Sequence, residues 1–312
     1  MPDQVSVIMG RSGQQSVTNS RAAKVIVSRR LTLDGDEEEA ALENFRQAAR
    51  KQGQEFHFLF RENISDVPEF DAVFIRATTD PLNTAYVVSK MAWELGLKVI
   101  DDPESITICG NKIHQYALFE KYNVPRIPTV FLNKDELHHK TISDIFDQLG
   151  KPVVIKAPYT SFSKYVEKAA CETSFREVCR RFFKKSDALA IQQFTPTEFD
   201  WRVGVLNNDI LYVCKYMIPK GRWKHGAKLR GKPTFTWGKT ISLRREAIPQ
   251  ELRKVALKAC SVIGKGLYGV DIKEIDGEFV VVEVNDNPSI YAGYEDLRAK
   301  DLYGRIIHYL TE

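Results

Sequence analysis

Acidic and amide side chains near the C-terminus have the spacing of a cation site. In VVVEVNDNPSIYAG, residues 280–293, Glu283 and Asn285 stand two apart in an apolar run. Residues two apart on a strand point to the same face, so their oxygens would lie side by side, as a hard cation requires. The alternative is a strand that simply ends in turn formers, since Asn, Asp and Pro are common in turns.

A third oxygen donor is predicted on the preceding strand. Asp271 stands between apolar neighbours in GLYGVDIKEID, so its side chain points to the face opposite to theirs. The Asp-Gly pair at 276–277 predicts a tight hairpin, which would bring Asp271 nearly opposite Glu283 or Asn285. Three oxygen donors facing one way would form a half-shell for Mg²⁺. The alternative, a lone carboxylate on a solvated face, is disfavoured by the apolar strands around it.

Three basic residues upstream could hold phosphates. Lys156 ends the apolar strand PVVIKAP, and Lys112 opens a helix, where a lysine opposes the helix dipole unless an anion lies near. Arg202 alternates with apolar residues in DWRVGV, and a structural salt bridge would also explain it. Taken together, cations for phosphates and oxygens for magnesium are what nucleotide phosphoryl transfer requires. The sequence contains neither GxxxxGK[ST] nor GxGxxG, which disfavours P-loop and Rossmann enzymes.

The elements that must position these residues predict a mixed α/β (α+β) chain. Strands alternating with helices indicate a parallel α/β domain over residues 22–108, preceded by a polar, poorly ordered lead at 1–21. Residues 109–188 form a second part with an edge strand between prolines. Residues 189–312 form a third part that ends in the Asp-Gly hairpin and a last helix.

Composition narrows the class of protein. The 312 residues are 43% hydrophobic and 28% charged, which is ordinary for a soluble protein, and no apolar run is long enough to span a membrane. Five scattered cysteines indicate reduced thiols and a cytoplasmic location. A net charge of +4 does not favour nucleic-acid binding. The basic run at 221–232 is either a solvated loop or an anion site.

The order NK…KPVVIKAP…IQQF…EFDWRVGVL…GLYGVDIKEI…FVVVEVNDNP resembles the ATP-grasp ligases of the RimK-type glutamate ligase group. The match runs from about Ala72 to the C-terminus and includes FIRATTDPLNTAY. This resemblance implies an ATP-grasp fold, with a preATP-grasp domain followed by two subdomains that clamp ATP. It also implies an ATP-dependent ligation of a carboxylate to an amine through an acyl-phosphate, and such a reaction needs no protein nucleophile.

The resemblance implies roles for individual residues. Those for ATP are Lys112 and Lys156 at the phosphates, Gln192, Gln193, Phe194 and Thr195 at the adenine hinge, and Glu198 or Asp200 at the ribose. Those for magnesium are Asp271, Glu283 and Asn285, with Asn287 a weaker candidate. Those for catalysis are Arg202 and Lys215, and those for substrate are Arg76, Arg222 and Lys224.

The resemblance further implies ATP and Mg²⁺ as cofactors, with two metal ions and with Mn²⁺ able to replace them. Glutamate or another α-amino acid would be one substrate, and a small metabolite, a peptide or a protein C-terminus the other. No membrane or nucleic-acid partner is expected, and a homo-oligomer is left open.

One departure from the family concerns the lid loop. The family loop is often rich in glycine, whereas YTSFSKYV has none, and Ser161 and Ser163 would have to supply donors to phosphate. Two alternatives to a ligase remain: a phosphotransferase on the same fold, and a nucleotide-binding partner subunit with weak catalysis.

Overall fold

A computed structural model describes residues 24–26, 35–159, 165–228 and 235–312. The strands, numbered in chain order, are β1 Lys24–Ile26, β2 Glu55–His57, β3 Ala72–Phe74, β4 Lys98–Ile100, β5 Thr129–Asn133, β6 Val153–Lys156, β7 Val166–Ala169, β8 Ala188–Gln193, β9 Phe199–Leu206, β10 Asp209–Met217, β11 Gly226–Lys228, β12 Phe235–Trp237, β13 Thr240–Leu243, β14 Leu267–Ile275 and β15 Glu278–Asn285. The α-helices are α1 Gly35–Lys51, α2 Thr84–Glu94, α3 Pro103–Gly110, α4 Lys112–Lys121, α5 His139–Leu149, α6 Glu172–Phe182, α7 Gln250–Ser261 and α8 Leu302–Thr311. Short 3₁₀ segments cover Arg61–Glu69, Lys134–Glu136 and Arg245–Ala247.

The N-terminal part contains two parallel strand pairs, β1 with β2 and β3 with β4, as the alternation of strands and helices predicted. Its hydrophobic core includes Phe45 of α1, Phe74 of β3 and Ile306 of α8. The C-terminal helix therefore packs against the N-terminal part, although the sequence-based division places it with residues 189–312. Its apolar side chains recur at helical spacing, but this pattern does not reveal which surface they face.

The middle part is a four-stranded antiparallel sheet in the order β5-β8-β6-β7, with α5 and α6 contributing to its core. Strand β5 follows Pro128 and lies at the sheet edge, which confirms the edge strand predicted there. Strand β8 pairs with both β5 and β6. The boundary predicted at residue 189 therefore moves beyond β8, because this strand pairs with strands that precede it.

The third part is a five-stranded antiparallel sheet in the order β13-β10-β9-β14-β15. One face packs on a core that includes Trp201, Val203 and Val270 together with residues of α4 and α7. The turn between β14 and β15 has positive φ at Asp276 (51°) and Gly277 (85°), which confirms the predicted tight hairpin. The strand β13 was not predicted, and it completes the sheet by pairing with β10.

Among the helices of the described residues, none is long and apolar enough to cross a membrane. All five cysteines lie within the described residues. They are free thiols, as their scattered positions indicated.

Candidate active site

A cleft of 1090 Å³ lies between the four-stranded and the five-stranded sheets. It collects most of the residues that the sequence singled out. Those on its walls are Lys112, Lys156, Gln192, Gln193, Phe194, Thr195, Asp200, Arg202, Lys224, Asp271, Glu283, Asn285 and Asn287.

The predicted oxygen cluster is present at one end of the cleft. Asp271 of β14 is the register partner of Glu283 of β15, and the register shifts immediately after Asp271. The Asn285 amide donates hydrogen bonds of 3.3 Å to Asp271 Oδ2 and to the Gly269 carbonyl. The hairpin thus brings two carboxylates and one carboxamide to the same face of the sheet, as strand alternation predicted.

Arg202 holds the Asp271 carboxylate from the neighbouring strand β9. Its Nε and a terminal nitrogen lie 2.7 and 3.0 Å from the two carboxylate oxygens. A Cβ added to Gly269 would come within 2.8 Å of a terminal nitrogen of Arg202 and 2.6 Å of Pro288 Cβ, so glycine is required there. Arg202 therefore forms the salt bridge that the sequence allowed and also lies on the cleft wall.

The two predicted lysines enter the cleft from different elements. Asn111 caps helix α4, its side chain accepting from the backbone amides of Ile113 and His114, and this places Lys112 at the first helical position. Lys112 Nζ lies 4.0 Å from Glu283 Oε2. Lys156 ends strand β6 and is 6% exposed, and this burial lowers the pKa of Lys156 to about 8 against the opposing charge of Glu283.

The two carboxylates titrate in opposite directions. Burial raises the pKa of Asp271 to about 7, with Arg202 opposing the rise and Glu283 adding to it. Burial would also raise the pKa of Glu283, but Lys112, Lys156 and Arg202 together outweigh burial and lower it. The cations of the protein therefore outweigh the effect of burial at Glu283 but not at Asp271.

This electrostatic imbalance fits a divalent cation. Asp271, Glu283 and Asn285 could hold such an ion, which would supply the missing positive charge, and all three side chains can offer oxygen, which Mg²⁺ prefers. Within the described residues, no group of three or more His, Cys, Asp and Glu side chains is arranged to hold a metal. A set of two carboxylates and one carboxamide leaves coordination positions for phosphate oxygens and water.

The other end of the cleft has an aromatic wall. The backbone amide of Gln193 donates to the Pro128 carbonyl, and the Gln192 side chain donates to Thr129 Oγ1 at 3.1 Å. The ring of Phe194 lies edge-on to that of Trp223 at 6.0 Å, and the Lys168 ammonium lies 4.4 Å from the Phe194 ring centre.

Asp200, on the cleft wall, is bound by neighbouring side chains. Its carboxylate accepts from the Lys273 ammonium and from Thr197 Oγ1, at 2.6 and 3.0 Å. Glu198 is exposed and does not line the cleft.

The structure does not bring Lys215 to the cleft. In the register of β9 and β10, Lys215 pairs with Trp201, whereas Cys214 pairs with Arg202 and Tyr216 with Asp200. Lys215 therefore lies on the sheet face opposite to Arg202, where its ammonium is 4.0 Å from the ring centre of Phe199. The catalytic role expected for Lys215 has no support in this geometry.

The three residues expected at the substrate all contact the protein itself. Arg222 donates to the carbonyl and hydroxyl oxygens of Thr236, and Lys224 donates to the Val166 carbonyl at 2.6 Å. Arg76 is 4% exposed and donates to Asn287 Oδ1 and to the Pro288 carbonyl. Of the three, only Lys224 lines the cleft. Ser161 and Ser163, expected in the lid loop, lie outside the described residues.

Lys273, Tyr216 and Glu295 are among the cleft residues that the sequence reasoning missed. Lys273 and Tyr216 share the cleft face with Asp271 and Asp200, and strand alternation alone could have identified Lys273. The third is Glu295, which accepts from the Tyr216 hydroxyl at 2.5 Å and from the Tyr291 backbone amide at 2.8 Å. No sequence signal marked Glu295, because its segment has no regular secondary structure.

Comparisons with known proteins identify the family and the fold of the chain. The family model of the RimK-like ATP-grasp domain matches residues 109–310. The chain is 28% identical over 214 residues to the alpha-aminoadipate–LysW ligase LysX of Saccharolobus solfataricus, covering 66% of this chain and 72% of that protein. It is 25% identical over 250 residues to the probable alpha-L-glutamate ligase 2 of a Shewanella species, covering 79% of each.

Solved structures share the fold at lower sequence identity. A D-alanine–D-alanine ligase from Bacillus anthracis matches with a TM-score of 0.67 and 14% identity, covering 91% of this chain and 94% of that one. A RimK domain ATP-grasp protein from Sphaerobacter thermophilus matches with a TM-score of 0.66 and 16% identity, covering 91% and 98%. These similarities confirm the ATP-grasp fold that the sequence motifs implied.

Proposed function

Because the chain belongs to the RimK-like ATP-grasp family, we propose that it is an ATP-dependent ligase that joins a carboxylate to an amine at this cleft. The observation that carries the proposal is one constellation: the cations Lys112, Lys156 and Arg202 surround the Asp271–Glu283 carboxylate pair at the end of a cleft large enough for a nucleotide and a second ligand.

We place ATP along the cleft by its charge and shape. The triphosphate would lie at the end with Lys112 and Lys156, where two buried ammonium groups favour an anion. The adenine would lie at residues 192–195, where the Phe194 ring offers an apolar wall. In this placement the edge of the base would face the backbone of residues 192–195.

Asp271, Glu283 and Asn285 are the residues that would hold Mg²⁺, with Mn²⁺ as a substitute. When bound, the cation would neutralise phosphate charge and favour transfer of the γ-phosphoryl group. The remaining chemistry falls to the chain. Arg202 fixes the Asp271 carboxylate through two hydrogen bonds and keeps its own positive charge beside the reacting groups.

The proposed reaction has two steps, phosphoryl transfer to the carboxylate and then formation of the amide. An oxygen of the substrate carboxylate attacks the γ-phosphorus, the bond to ADP breaks, and an acyl-phosphate forms. The substrate amine then attacks the acyl carbon, phosphate leaves with the bonding electron pair, and the amine releases a proton as the amide forms. The lysines and Arg202 position the phosphates, and the surrounding sheets limit the access of water to the acyl-phosphate.

For the substrates, we propose that one is an α-amino acid with a second carboxylate, such as glutamate. The relatives named above are a ligase of α-aminoadipate and probable ligases of α-L-glutamate, both of which are acidic amino acids. Lys224 lies on the cleft wall and Arg222 stands two residues before it, and their positive charge suits such a ligand.

The experiment incubates the chain with ATP, Mg²⁺, glutamate and a panel of carboxylic acids and peptides, and follows ADP release and product mass. A ligase gives ADP and a product whose mass equals the acid plus glutamate minus water. ADP release without an amide product for any amine would contradict the ligase and indicate a phosphotransferase. Glu283→Gln should lower turnover at least about a hundredfold, and parental turnover by this variant would contradict the metal assignment.

A further inference from the structure

The outer edge of strand β15 is covered by side chains and loop backbone instead of another strand. β15 is the last strand of its sheet, so one of its edges has no strand partner among the residues that the structure describes. The Val281 amide donates to the Pro125 carbonyl, and its carbonyl accepts from the Ile127 amide. Further along, the Tyr116 hydroxyl donates to the Val282 carbonyl at 2.7 Å. The segment that starts with helix α4 thus continues the hydrogen bonding of the sheet.

At Val284 this cover consists of one carboxamide. The Gln115 Nε2 donates to the Val284 carbonyl at 2.8 Å, and the Val284 amide donates to Gln115 Oε1 at 2.8 Å. Gln115 is 1% exposed. Val284 is the residue between Glu283 and Asn285, so Gln115, which binds both backbone groups of Val284, acts between two of the proposed metal ligands.

We propose that Gln115 is a positioning residue, which fixes the β15 backbone so that Glu283 and Asn285 meet the metal in one orientation. The same helix begins with Lys112, whose ammonium faces Glu283. Gln115 therefore also sets the distance between a phosphate-binding lysine and the metal-binding strand. This inference rests on the proposed function, because it assumes that the pair holds a divalent cation with a nucleotide.

The chemistry requires a carboxamide of this length. A carboxamide carries a donor and an acceptor on one planar group without any change of charge, and Gln115 uses one of each. An apolar side chain would leave the buried amide and carbonyl of Val284 without partners, and a shorter amide could not reach both. Groups that orient metal ligands without touching the metal typically change metal affinity when replaced.

The test measures metal and nucleotide binding separately on the full chain. Mn²⁺ affinity is read from the electron paramagnetic resonance signal of free Mn²⁺ at saturating non-hydrolysable ATP analogue. Analogue affinity is read by calorimetry in EDTA, and exchange of the Val284 amide by mass spectrometry. The variants are Gln115→Met, which is similar in length and apolar, and Gln115→Asn, which is polar and one methylene shorter.

The matched control is Ser89→Ala. Ser89 is fully buried and donates one hydrogen bond of 2.6 Å to the Asp101 carbonyl, outside the cleft. The Ser89→Ala substitution should lower the melting temperature and leave the Mn²⁺ Kd unchanged. Both Gln115 variants should raise the Mn²⁺ Kd by about tenfold or more and accelerate exchange at Val284, with analogue affinity in EDTA changed by less than about twofold.

The outcomes separate this inference from the proposed function. If Gln115→Met does not fold, Gln115→Asn decides the question. A folded Gln115→Asn variant with the parental Mn²⁺ Kd overturns the positioning role, whatever its melting temperature. A parent chain that binds the analogue without binding Mn²⁺ overturns the proposed metal site, and the inference with it.

Discussion

The Arg76 guanidinium donates a hydrogen bond of 2.6 Å to Asn287 Oδ1, 211 positions away in the sequence. The Asn287 amide donates in turn to the carbonyl of Ala77, next to Arg76. The oxygen and the nitrogen of one carboxamide thus join the N-terminal part to the loop that follows strand β15. Asn287, a weaker metal candidate from sequence, therefore has both functional groups engaged by the protein.

Replacing Asn287 by Leu should destabilise the chain. The buried Arg76 guanidinium would lose the Asn287 oxygen as an acceptor and would retain the hydrogen bond to the Pro288 carbonyl. A hydrogen bond to a charged group contributes about 1.5–3 kcal/mol, so the free energy of unfolding should fall by about that amount. Urea denaturation measures this change. Asn287→Asp, which keeps the acceptor for Arg76, should lose less, and equal losses in the two variants would contradict the contact.

Lys156 should give the enzyme a descending pH limb. With a pKa of about 8, Lys156 is cationic below that pH and neutral above it, so the free enzyme loses the charge that we propose binds phosphate as pH rises. The value of kcat/KM for ATP reports ionisation of the free enzyme, and it should decline above about pH 8. Lys156→Arg keeps the charge at high pH and should move the decline upward. An unchanged profile in this variant would assign the limb to another group.

The sequence identified the site residues where a strand could be recognised and its alternation applied. Asp271 was predicted to lie nearly opposite Glu283 or Asn285 across the Asp-Gly hairpin, and the structure pairs it with Glu283 through a register shift between Asp271 and Ile272. The same reasoning did not extend to Lys215, since the face it occupies depends on the register between β9 and β10. Gln115 could not be found at all, because its partner Val284 lies 169 positions away.

The fold, like the site, could be predicted from the sequence only where the pattern is local. Elements with strong local patterns, such as α7 and the β14–β15 hairpin, were identified from the sequence. The packing of α8 on the N-terminal core and the pairing of β8 with β5 and β6 are contacts between distant segments. Hydrophobic periodicity shows which face of an element is buried, but it does not identify the element that covers it.

Lys224 should support nucleotide binding by linking two parts of the molecule. Its ammonium donates to the Val166 carbonyl of β7, whereas Lys224 itself follows β10 in the five-stranded sheet. Lys224→Met keeps the aliphatic stem and removes this bond, so we expect KM for ATP to rise by about three- to tenfold with little change in kcat. Steady-state kinetics checks this, with Lys220→Met, an exposed neighbour, as the control. Equal effects from both variants would indicate a general charge effect.

The adjacent residues Lys215 and Tyr216 should behave in opposite ways, because they lie on opposite faces of the sheet. Lys215→Met removes a cation from the rings of Phe199 and Trp201, contacts that contribute about 0.5–1 kcal/mol, and should leave kcat/KM within about twofold.

The ring of Tyr216 lies 5.1 Å from the Arg202 guanidinium, and its hydroxyl binds Glu295. Tyr216→Phe keeps the ring and removes the hydroxyl that fixes it, so the support of Arg202 beside Asp271 weakens. We expect kcat/KM to fall by about tenfold, as for other groups that orient a residue of the site. ADP release and melting temperature, measured for both variants, separate catalysis from stability. If Lys215→Met lost activity and Tyr216→Phe kept it, the assignment of the two sheet faces would be reversed.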